Sequence, residues 1–159
     1  MLSLTDELTG LYNRRGLFAL GEHMMRSARQ HKSGMGVVFL DLDGLAAINE
    51  RLGHSQGDEA LRDLAGVLTA CIRESDVPAR AGGDEFVVLV EDDAAAAEAL
   101  AERIRRRIAA DNAKSQRPYK LEASLGLVFW PAVEVATLQG LIERAGRLSS
   151  EAKGAPRKG

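Results

Sequence analysis

Residues 80–86 read Arg-Ala-Gly-Gly-Asp-Glu-Phe and run directly into the apolar stretch Val-Val-Leu-Val at 87–90. Paired glycines between two such segments predict a tight β-hairpin turn, because glycine permits positive φ and lets a ligand approach the bare backbone. The two acids after them place carboxylates at the edge of the turn, where they suit a hard metal ion near a phosphate. By itself the pattern is also typical of a plain turn flanked by solvated acids.

The segments around this hairpin alternate between helical and strand patterns. Apolar runs at residues 35–42 and 120–130 predict strands, the first buried on both faces, and residues 86–90 predict the return strand of the hairpin. This order favours an α+β sandwich of the ferredoxin-like or palm type, with a central, mostly antiparallel sheet covered by helices, over a doubly wound fold. Apolar residues at helical spacing predict five helices. The first ends at Gly34, the next three cover residues 45–50, 61–72 and 94–108, and the last runs from about 135 to 153. Residues 52–58 are predicted to form a loop.

The composition is that of an ordinary soluble globular domain. The chain has 159 residues, of which 45% are hydrophobic and 28% charged, and its net charge of -2 argues against a polymeric nucleic acid as partner. Its one cysteine, Cys71, lies in an apolar helical pattern and excludes both a disulfide framework and a cysteine metal site. No apolar run is long enough to cross a bilayer and no signal peptide is recognisable, so we expect a cytoplasmic domain without direct membrane contact, although a parent protein could be anchored.

A carboxylate interrupts the buried strand near its C-terminal end. Asp41 follows the apolar residues from position 35, and Asp43 comes two residues later. A charge at this place is costly unless a cation or hydrogen-bond donors balance it. We therefore expect Asp41 to face a functional site, with capping at the surface as the alternative.

Several further motifs occur at characteristic spacings. They are Asp-Glu-Leu-Thr-Gly-Leu-Tyr-Asn-Arg at 6–14, Phe-Leu-Asp-Leu-Asp at 39–43, Ile-Asn at 48–49, Gly-His at 53–54 with Gly-Asp at 57–58, Arg-Glu-Ser-Asp at 73–76, and Ser-Leu-Gly at 124–126. Together with Gly-Gly-Asp-Glu-Phe at 82–86, they resemble the GGDEF domain, the catalytic module of diguanylate cyclases, over essentially the whole chain. The resemblance implies that residues 1–159 are a single GGDEF domain, the output module of a larger signalling protein.

A GGDEF domain of this kind is expected to work as a homodimer. Each subunit holds one GTP, and the two nucleotides condense into cyclic di-GMP with release of two pyrophosphates. The alternative is a catalytically weakened GGDEF module that binds GTP or cyclic di-GMP as a regulatory input, and a third reading is an unrelated cyclase or polymerase-like palm domain.

The resemblance also assigns the catalytic and metal-binding residues. Asp41, Asp84 and Glu85 are the expected catalytic residues, and together with Leu42 they are the expected metal-binding positions. Carboxylates are the ligands that Mg²⁺ prefers, so we expect two Mg²⁺ ions in the site, with Mn²⁺ also compatible. The sequence does not divide the roles of base and metal ligand between Asp84 and Glu85.

Substrate-binding residues follow from the same resemblance. Asn49 and Asp58 match the positions that read guanine, which would favour GTP over ATP, with helix capping as the alternative. Gly82 and Gly83 suit a backbone that passes close to the α-phosphate. Backbone N–H groups of residues 42–45 suit the β- and γ-phosphates. The remaining substrate-binding positions implied by the resemblance are Leu45, Lys153 and Arg157. Without the resemblance, Lys153 and Arg157 would be interpreted as a cationic helix end.

An inhibitory site for cyclic di-GMP is the last implied feature. Arg73 and Asp76 match the family's RxxD motif, and Arg103 resembles an arginine that often completes this site from a neighbouring domain. Without the resemblance, Arg73 and Asp76 would be interpreted as a helix-end salt bridge, and Arg103 as part of a solvent-exposed arginine face.

The chain departs from the family pattern at a few positions. Leu45 and Ala46 stand where an aromatic residue and a lysine are usual, and Glu50 stands in place of an aspartate. In the last helix Gly146 and the pair at 149–150, Ser-Ser, replace larger residues. These changes remove a phosphate contact and bear on turnover more than on the fold.

Overall fold

A computed structural model describes residues 2–154 of the protein. Its centre is one four-stranded antiparallel sheet in which the strand that carries Asp41 pairs with a neighbour on each side. The predicted hairpin joins the second and third strands. The strands are β1 (Met35–Leu42), β2 (Val77–Arg80), β3 (Glu85–Glu91) and β4 (Ala123–Trp130), in the spatial order β2-β3-β1-β4.

Five helices cover the two faces of this sheet. The helices are α1 (Arg14–His31), α2 (Leu45–Leu52), α3 (His54–Cys71), α4 (Ala94–Lys114) and α5 (Leu138–Gly154). From β1 to β4 the order of elements is that of a ferredoxin-like fold, in which α2, α3 and α4 lie on one face. Helices α1 and α5 cover the opposite face. The predicted α+β sandwich with a hairpin is confirmed.

Strand β1 separates two hydrophobic cores, which explains its almost unbroken apolar sequence. Val38, Leu40 and Leu42 contribute to the core beneath α2, α3 and α4. Val37 and Phe39 contribute to the core beneath α1 and α5. Because side chains alternate along a strand, Asp41 emerges on the side of α1 and α5.

Several predicted boundaries were wrong. The loop expected at residues 52–58 consists of Gly53 alone, whose φ of 91° turns the chain from α2 into α3. The last strand begins at Ala123 and not at residue 120, because the side chain of Asn112 bonds both backbone groups of Leu121 and replaces a ladder partner there. Helix α4 runs to Lys114, beyond residue 108, and α5 begins after Thr137, whose hydroxyl accepts a hydrogen bond from the Gly140 N–H.

Within residues 2–154, none of the helices is long and apolar enough to cross a bilayer. Cys71 is buried in the core, as its apolar context predicted.

Candidate functional site

Three carboxylates converge where β1 ends beside the hairpin. Asp41 is paired with Glu85 in the antiparallel register, and the Leu42 N–H donates to the Asp84 carbonyl at 2.9 Å. These backbone contacts fix the hairpin against the strand end. As a result, one carboxylate oxygen from each of Asp41, Asp84 and Glu85 lies within 4.8 Å of the other two.

The electrostatics of this cluster favour a bound cation. Burial is the largest cause that raises the pKa of Asp41, and the negative charge of Asp84 adds to it, while a hydrogen bond from Ser149 and the charge of Lys153 oppose it. Burial also raises the pKa of Glu85, followed by the charges of Asp41 and Asp84. Three clustered carboxylates with excess negative charge are the donor set of a hard divalent ion, so the residues present fit the predicted metal.

The hairpin glycines do not adopt the positive φ that was predicted for them, but they leave space beside the acids. Among the glycines that the structure describes, positive φ occurs at Gly10, Gly44 and Gly53, and not at Gly82 or Gly83. A Cβ on Gly82 would lie 3.1 Å from Glu85 Oε2, so the bare backbone leaves room for that carboxylate. Nothing lies within 4 Å of the corresponding point at Gly83, which leaves open space beside the acids.

The predicted row of phosphate-binding N–H groups is shorter than expected. The Leu42 N–H is used by Asp84 O, and the Asp43 N–H donates to Glu122 O at 2.8 Å. The prediction that the N–H groups of residues 42–45 bind phosphate is therefore wrong for Leu42 and Asp43. The N–H groups of Gly44 and Leu45, at the start of α2, remain as candidates. Both strand-end N–H groups are consumed because they tie β1 to its neighbours.

A cation lies close to this end of β1. Lys153 Nζ forms an ion pair with Asp43 Oδ1 at 3.6 Å, and its charge acts on Asp41. The structure therefore places Lys153 beside the acidic cluster. Arg157, the other cation predicted to bind phosphate, lies outside the described residues.

The two residues predicted to read guanine lie on α2 and α3. Asn49 and Asp58 are both half-buried, and the helices that carry them pack together. Gly57 makes this close approach possible, since a Cβ at that position would lie 1.8 Å from Asn49 Oδ1. The missing side chain at position 57 therefore fixes where the Asn49 amide sits.

Replacing Gly57 with alanine should disturb this contact. The new Cβ would meet the amide end of the Asn49 side chain, so the substitution should displace that amide and should cost about 1 kcal/mol relative to a helix position without such a contact. The matched control is Gly66→Ala on the same helix, where nothing lies within 4 Å of the new Cβ and where alanine should stabilise by up to about 1 kcal/mol. Urea denaturation of both variants measures the difference, and equal effects of the two substitutions would contradict the role given to Gly57.

The three residues of the predicted inhibitory site line one cavity of about 220 Å³ between the turn that precedes β2 and helix α4. Arg73 bonds Asp76 at 3.4 Å and forms a second ion pair with Asp92 at 3.1 Å. The Asp76 carboxylate is buried and also accepts from the Arg73 backbone N–H, so it holds the turn as well. Arg103 reaches this cavity from α4 of the same chain, where its Nε donates to Cys71 O.

Comparison with known proteins resolves the family. Residues 3–159 match the family model described as "Diguanylate cyclase, GGDEF domain". The chain belongs to the GGDEF family. The family predicted from the motifs is thereby confirmed.

Individual GGDEF relatives agree with this assignment. The chain is 35% identical over 160 residues to the response regulator PleD of Caulobacter vibrioides, which covers 98% of this chain and 35% of PleD. It is 38% identical over 131 residues to the bifunctional diguanylate cyclase/cyclic di-GMP phosphodiesterase MucR of Pseudomonas aeruginosa, over 82% of this chain and 19% of MucR. The chain thus spans about a fifth to a third of the lengths of these curated relatives.

A solved GGDEF domain has the same fold. The GGDEF domain of PA1120 (TpbB or YfiN) from Pseudomonas aeruginosa superposes with a TM-score of 0.85 at 32% identity, covering 96% of this chain and 90% of that one. Since the family as a whole implies a divalent metal, this likeness agrees with the acidic cluster described above.

Two contacts in this GGDEF domain escaped the sequence reasoning. Ser149 is fully buried, and its hydroxyl lies 2.9 Å from Ser124 O and 3.3 Å from Asp41 Oδ2. A polar residue in the apolar stripe of α5 was the available signal. Asp6 forms an ion pair with Arg80, whose guanidinium also donates to Gly83 O at 2.8 Å. The opening motif is therefore tied directly to the hairpin.

Proposed function

We propose that this GGDEF domain is a diguanylate cyclase, which condenses two GTP molecules into cyclic di-GMP and two pyrophosphates across a homodimer. The observation that carries the proposal is the convergence of Asp41, Asp84 and Glu85 within 4.8 Å at the hairpin. The family match and a cyclase activity in the name of MucR support it.

The reaction is an in-line displacement at phosphorus. The 3′-oxygen of one GTP forms a bond to the α-phosphorus of the other, the bond to the β-phosphate oxygen breaks, and pyrophosphate leaves with the electron pair. Two Mg²⁺ ions, or Mn²⁺, held by the three carboxylates and the Leu42 carbonyl would supply charge stabilisation and a more acidic 3′-hydroxyl. Asp84 or Glu85 accepts the proton of that hydroxyl.

Other residues bind and orient the nucleotide. Asn49 and Asp58 bind the guanine edge, where the Asp58 carboxylate accepts from hydrogens that adenine lacks. Gly82 and Gly83 leave room for the α-phosphate beside the acids. The N-terminus of α2 at Leu45, with Lys153 and Arg157, balances the remaining phosphate charge.

Product inhibition is part of the same proposal. Arg73, Asp76 and Arg103 would bind the phosphates and guanine edges of cyclic di-GMP, because guanidinium forks and a carboxylate match those groups. Bound product would hold two domains in a pose that keeps their substrates apart.

The setting of the domain is also proposed. Residues 1–159 would be one output domain of a larger cytoplasmic signalling protein, in line with the small share of PleD and MucR that the chain spans. The Asp6–Arg80 ion pair would couple the opening motif to the hairpin.

A regulatory GGDEF module is the second candidate. Two features favour it. Ala46 stands where a lysine next to the phosphates is usual, and the N–H groups of Leu42 and Asp43 are bonded to backbone carbonyls and so do not face the phosphates. Such a module would bind GTP or cyclic di-GMP without turnover.

Incubation of the protein with GTP and Mg²⁺, followed by chromatographic separation of the nucleotides, separates the two candidates. The cyclase proposal expects cyclic di-GMP and pyrophosphate, with ATP turned over poorly. Absence of product over a range of protein concentrations, together with measurable GTP binding, would leave the regulatory module.

A further inference from the structure

The buried face of α5 contains a serine among apolar residues. Its other buried residues are Leu138, Leu141, Ile142 and Ala145, and Ser149 follows them at helical spacing with no exposed surface. A buried hydroxyl is costly unless it is hydrogen-bonded, so an apolar residue would be the simpler choice for the core at this position. Core packing alone therefore does not account for the hydroxyl.

The Ser149 hydroxyl contacts acceptors on two neighbouring strands. Its oxygen lies 2.9 Å from the Ser124 carbonyl oxygen on β4 and 3.3 Å from Asp41 Oδ2 on β1. One helix residue reaches both because Asp41 and Ser124 are opposite each other in the register of the two strands. A carbonyl and an ionised carboxylate can only accept, so they share the single proton of the hydroxyl. The contact restricts rotation of the Asp41 carboxylate.

Close packing of α5 on β4 sets the position of this hydroxyl. A Cβ on Gly126 of β4 would lie 2.1 Å from Ala145 O and 2.5 Å from Ser149 N, so the helix backbone lies directly against the strand. The serine oxygen is one rotatable bond away from that backbone and occupies one of a few staggered positions. The hydroxyl is therefore placed by the fold itself, and not by a long, flexible side chain.

The neighbouring acid, Asp43, is held by different groups. Its Oδ2 accepts from the Ser124 hydroxyl at 2.8 Å, and its Oδ1 forms an ion pair with Lys153 Nζ at 3.6 Å. Among the residues that the structure describes, the acidic cluster includes Asp41 and not Asp43. Ser149 and Ser124 are thus two buried serines in one network, and the hydroxyl of Ser149 is the one that bonds a carboxylate of the cluster.

We propose that Ser149 is a positioning residue of the metal site, whose hydroxyl holds the Asp41 carboxylate in the orientation that ligates a divalent cation. Repulsion from the charge of Asp84 favours rotation of that carboxylate away from the cluster, and the hydrogen bond opposes this rotation. Ser149 acts through Asp41 and is not itself a ligand. This inference rests on the role of Asp41 as a metal ligand in the proposed function.

Metal binding, measured without turnover, tests the role of Ser149. Calorimetric titration should show Mn²⁺ binding to the wild-type protein, and Ser149→Ala should weaken it about tenfold. Ser124→Ala is the matched control, because it removes a buried hydroxyl that bonds Asp43, and it should change the Mn²⁺ affinity less than about twofold. Absence of Mn²⁺ binding to the wild type, an unchanged affinity in Ser149→Ala, or equal weakening in both variants would overturn the inference.

A second pair of variants separates hydrogen bonding from packing. Ser149→Thr and Ser149→Val introduce side chains of nearly the same volume, and only threonine keeps a hydroxyl. The threonine variant should bind Mn²⁺ at least about fivefold more tightly than the valine variant, whatever strain the added carbon introduces. Equal affinities of these two variants would contradict the positioning role. The comparison also serves if Ser149→Ala does not fold.

Failure of the proposed function would have a different signature. A protein that binds Mn²⁺ but forms no cyclic di-GMP would contradict the cyclase proposal, while the affinities of the Ser149 variants would still decide the positioning role. In an active enzyme, Ser149→Ala should raise the Mg²⁺ concentration for the half-maximal rate about tenfold and change the rate at saturating Mg²⁺ less than about twofold. An unchanged Mg²⁺ requirement would count against Ser149.

Discussion

Asp41→Asn should reduce cyclic di-GMP formation by about 10³-fold or more, because it removes a ligand charge from the acidic cluster and with it the stabilisation of the displaced phosphate oxygens. The substitution keeps the size of the side chain and leaves an oxygen that can accept the Ser149 hydrogen bond. Product formation from GTP and Mg²⁺ measures the effect. Glu98→Gln, an exposed acid on α4, is the matched control and should retain full activity.

The same variant should not lose stability in the absence of metal. The pKa of Asp41 and that of Glu85 are higher in the folded protein than in the unfolded chain, so ionisation of these carboxyls opposes folding. Their contribution to stability is present at low pH and is lost as the pH rises through the folded-state pKa. Metal-free Asp41→Asn should therefore melt at or above the wild-type temperature at pH 7, and the difference should shrink as the pH falls towards about 4.

Divalent metal should reverse this order. Mg²⁺ bound to the cluster should raise the melting temperature of the wild-type protein and have little effect on Asp41→Asn. A metal-free variant that melts well below the wild type at pH 7 would show that Asp41 is a structural residue, and equal Mg²⁺ shifts in both proteins would exclude it as a ligand.

The second large effect concerns product inhibition. Arg73→Ala should weaken cyclic di-GMP binding about a hundredfold, because a charge-assisted fork to phosphate is lost, and it should let the reaction continue at product concentrations that stop the wild type. The fold should be little affected, since the Arg73 side chain is 55% exposed and the buried Asp76 carboxylate keeps its hydrogen bond from the backbone N–H of residue 73. Calorimetry with cyclic di-GMP and progress curves with GTP measure the two consequences.

Arg73 is a cleaner probe of this site than Asp76. The Asp76 side chain is 2% exposed and accepts the Arg73 backbone N–H, so its removal would also disturb the turn before β2. Arg106→Ala on α4 is the control, because that side chain is 80% exposed and points to solvent. Unchanged cyclic di-GMP affinity in Arg73→Ala would remove the inhibitory site from the proposal, whatever the outcome for catalysis.

Much of the fold was predictable because its signals are local. The apolar run from position 35 to 42 and the helical spacing of residues before Gly34 indicate a central strand and a covering helix within a few residues of their observed bounds. Boundaries failed where a distant or polar partner decided them, as at Leu121, whose backbone is bonded by Asn112. The prediction of a loop at 52–58 was wrong because the polar residues around Gly57 resemble turn formers, although they form the first turn of α3.

The sequence by itself determined the family, the order of helices and strands, and the acids of the hairpin, because these depend on residue type and on short spacings. Only the tertiary structure decided what surrounds those acids. Ser149 is 108 positions from Asp41 and reaches it because α5 packs against β1 and β4. The packing of α1 beside α5 likewise creates the cavity next to Glu85. Contacts of this range arise when the sheet and helices close around two cores, so no local pattern encodes them.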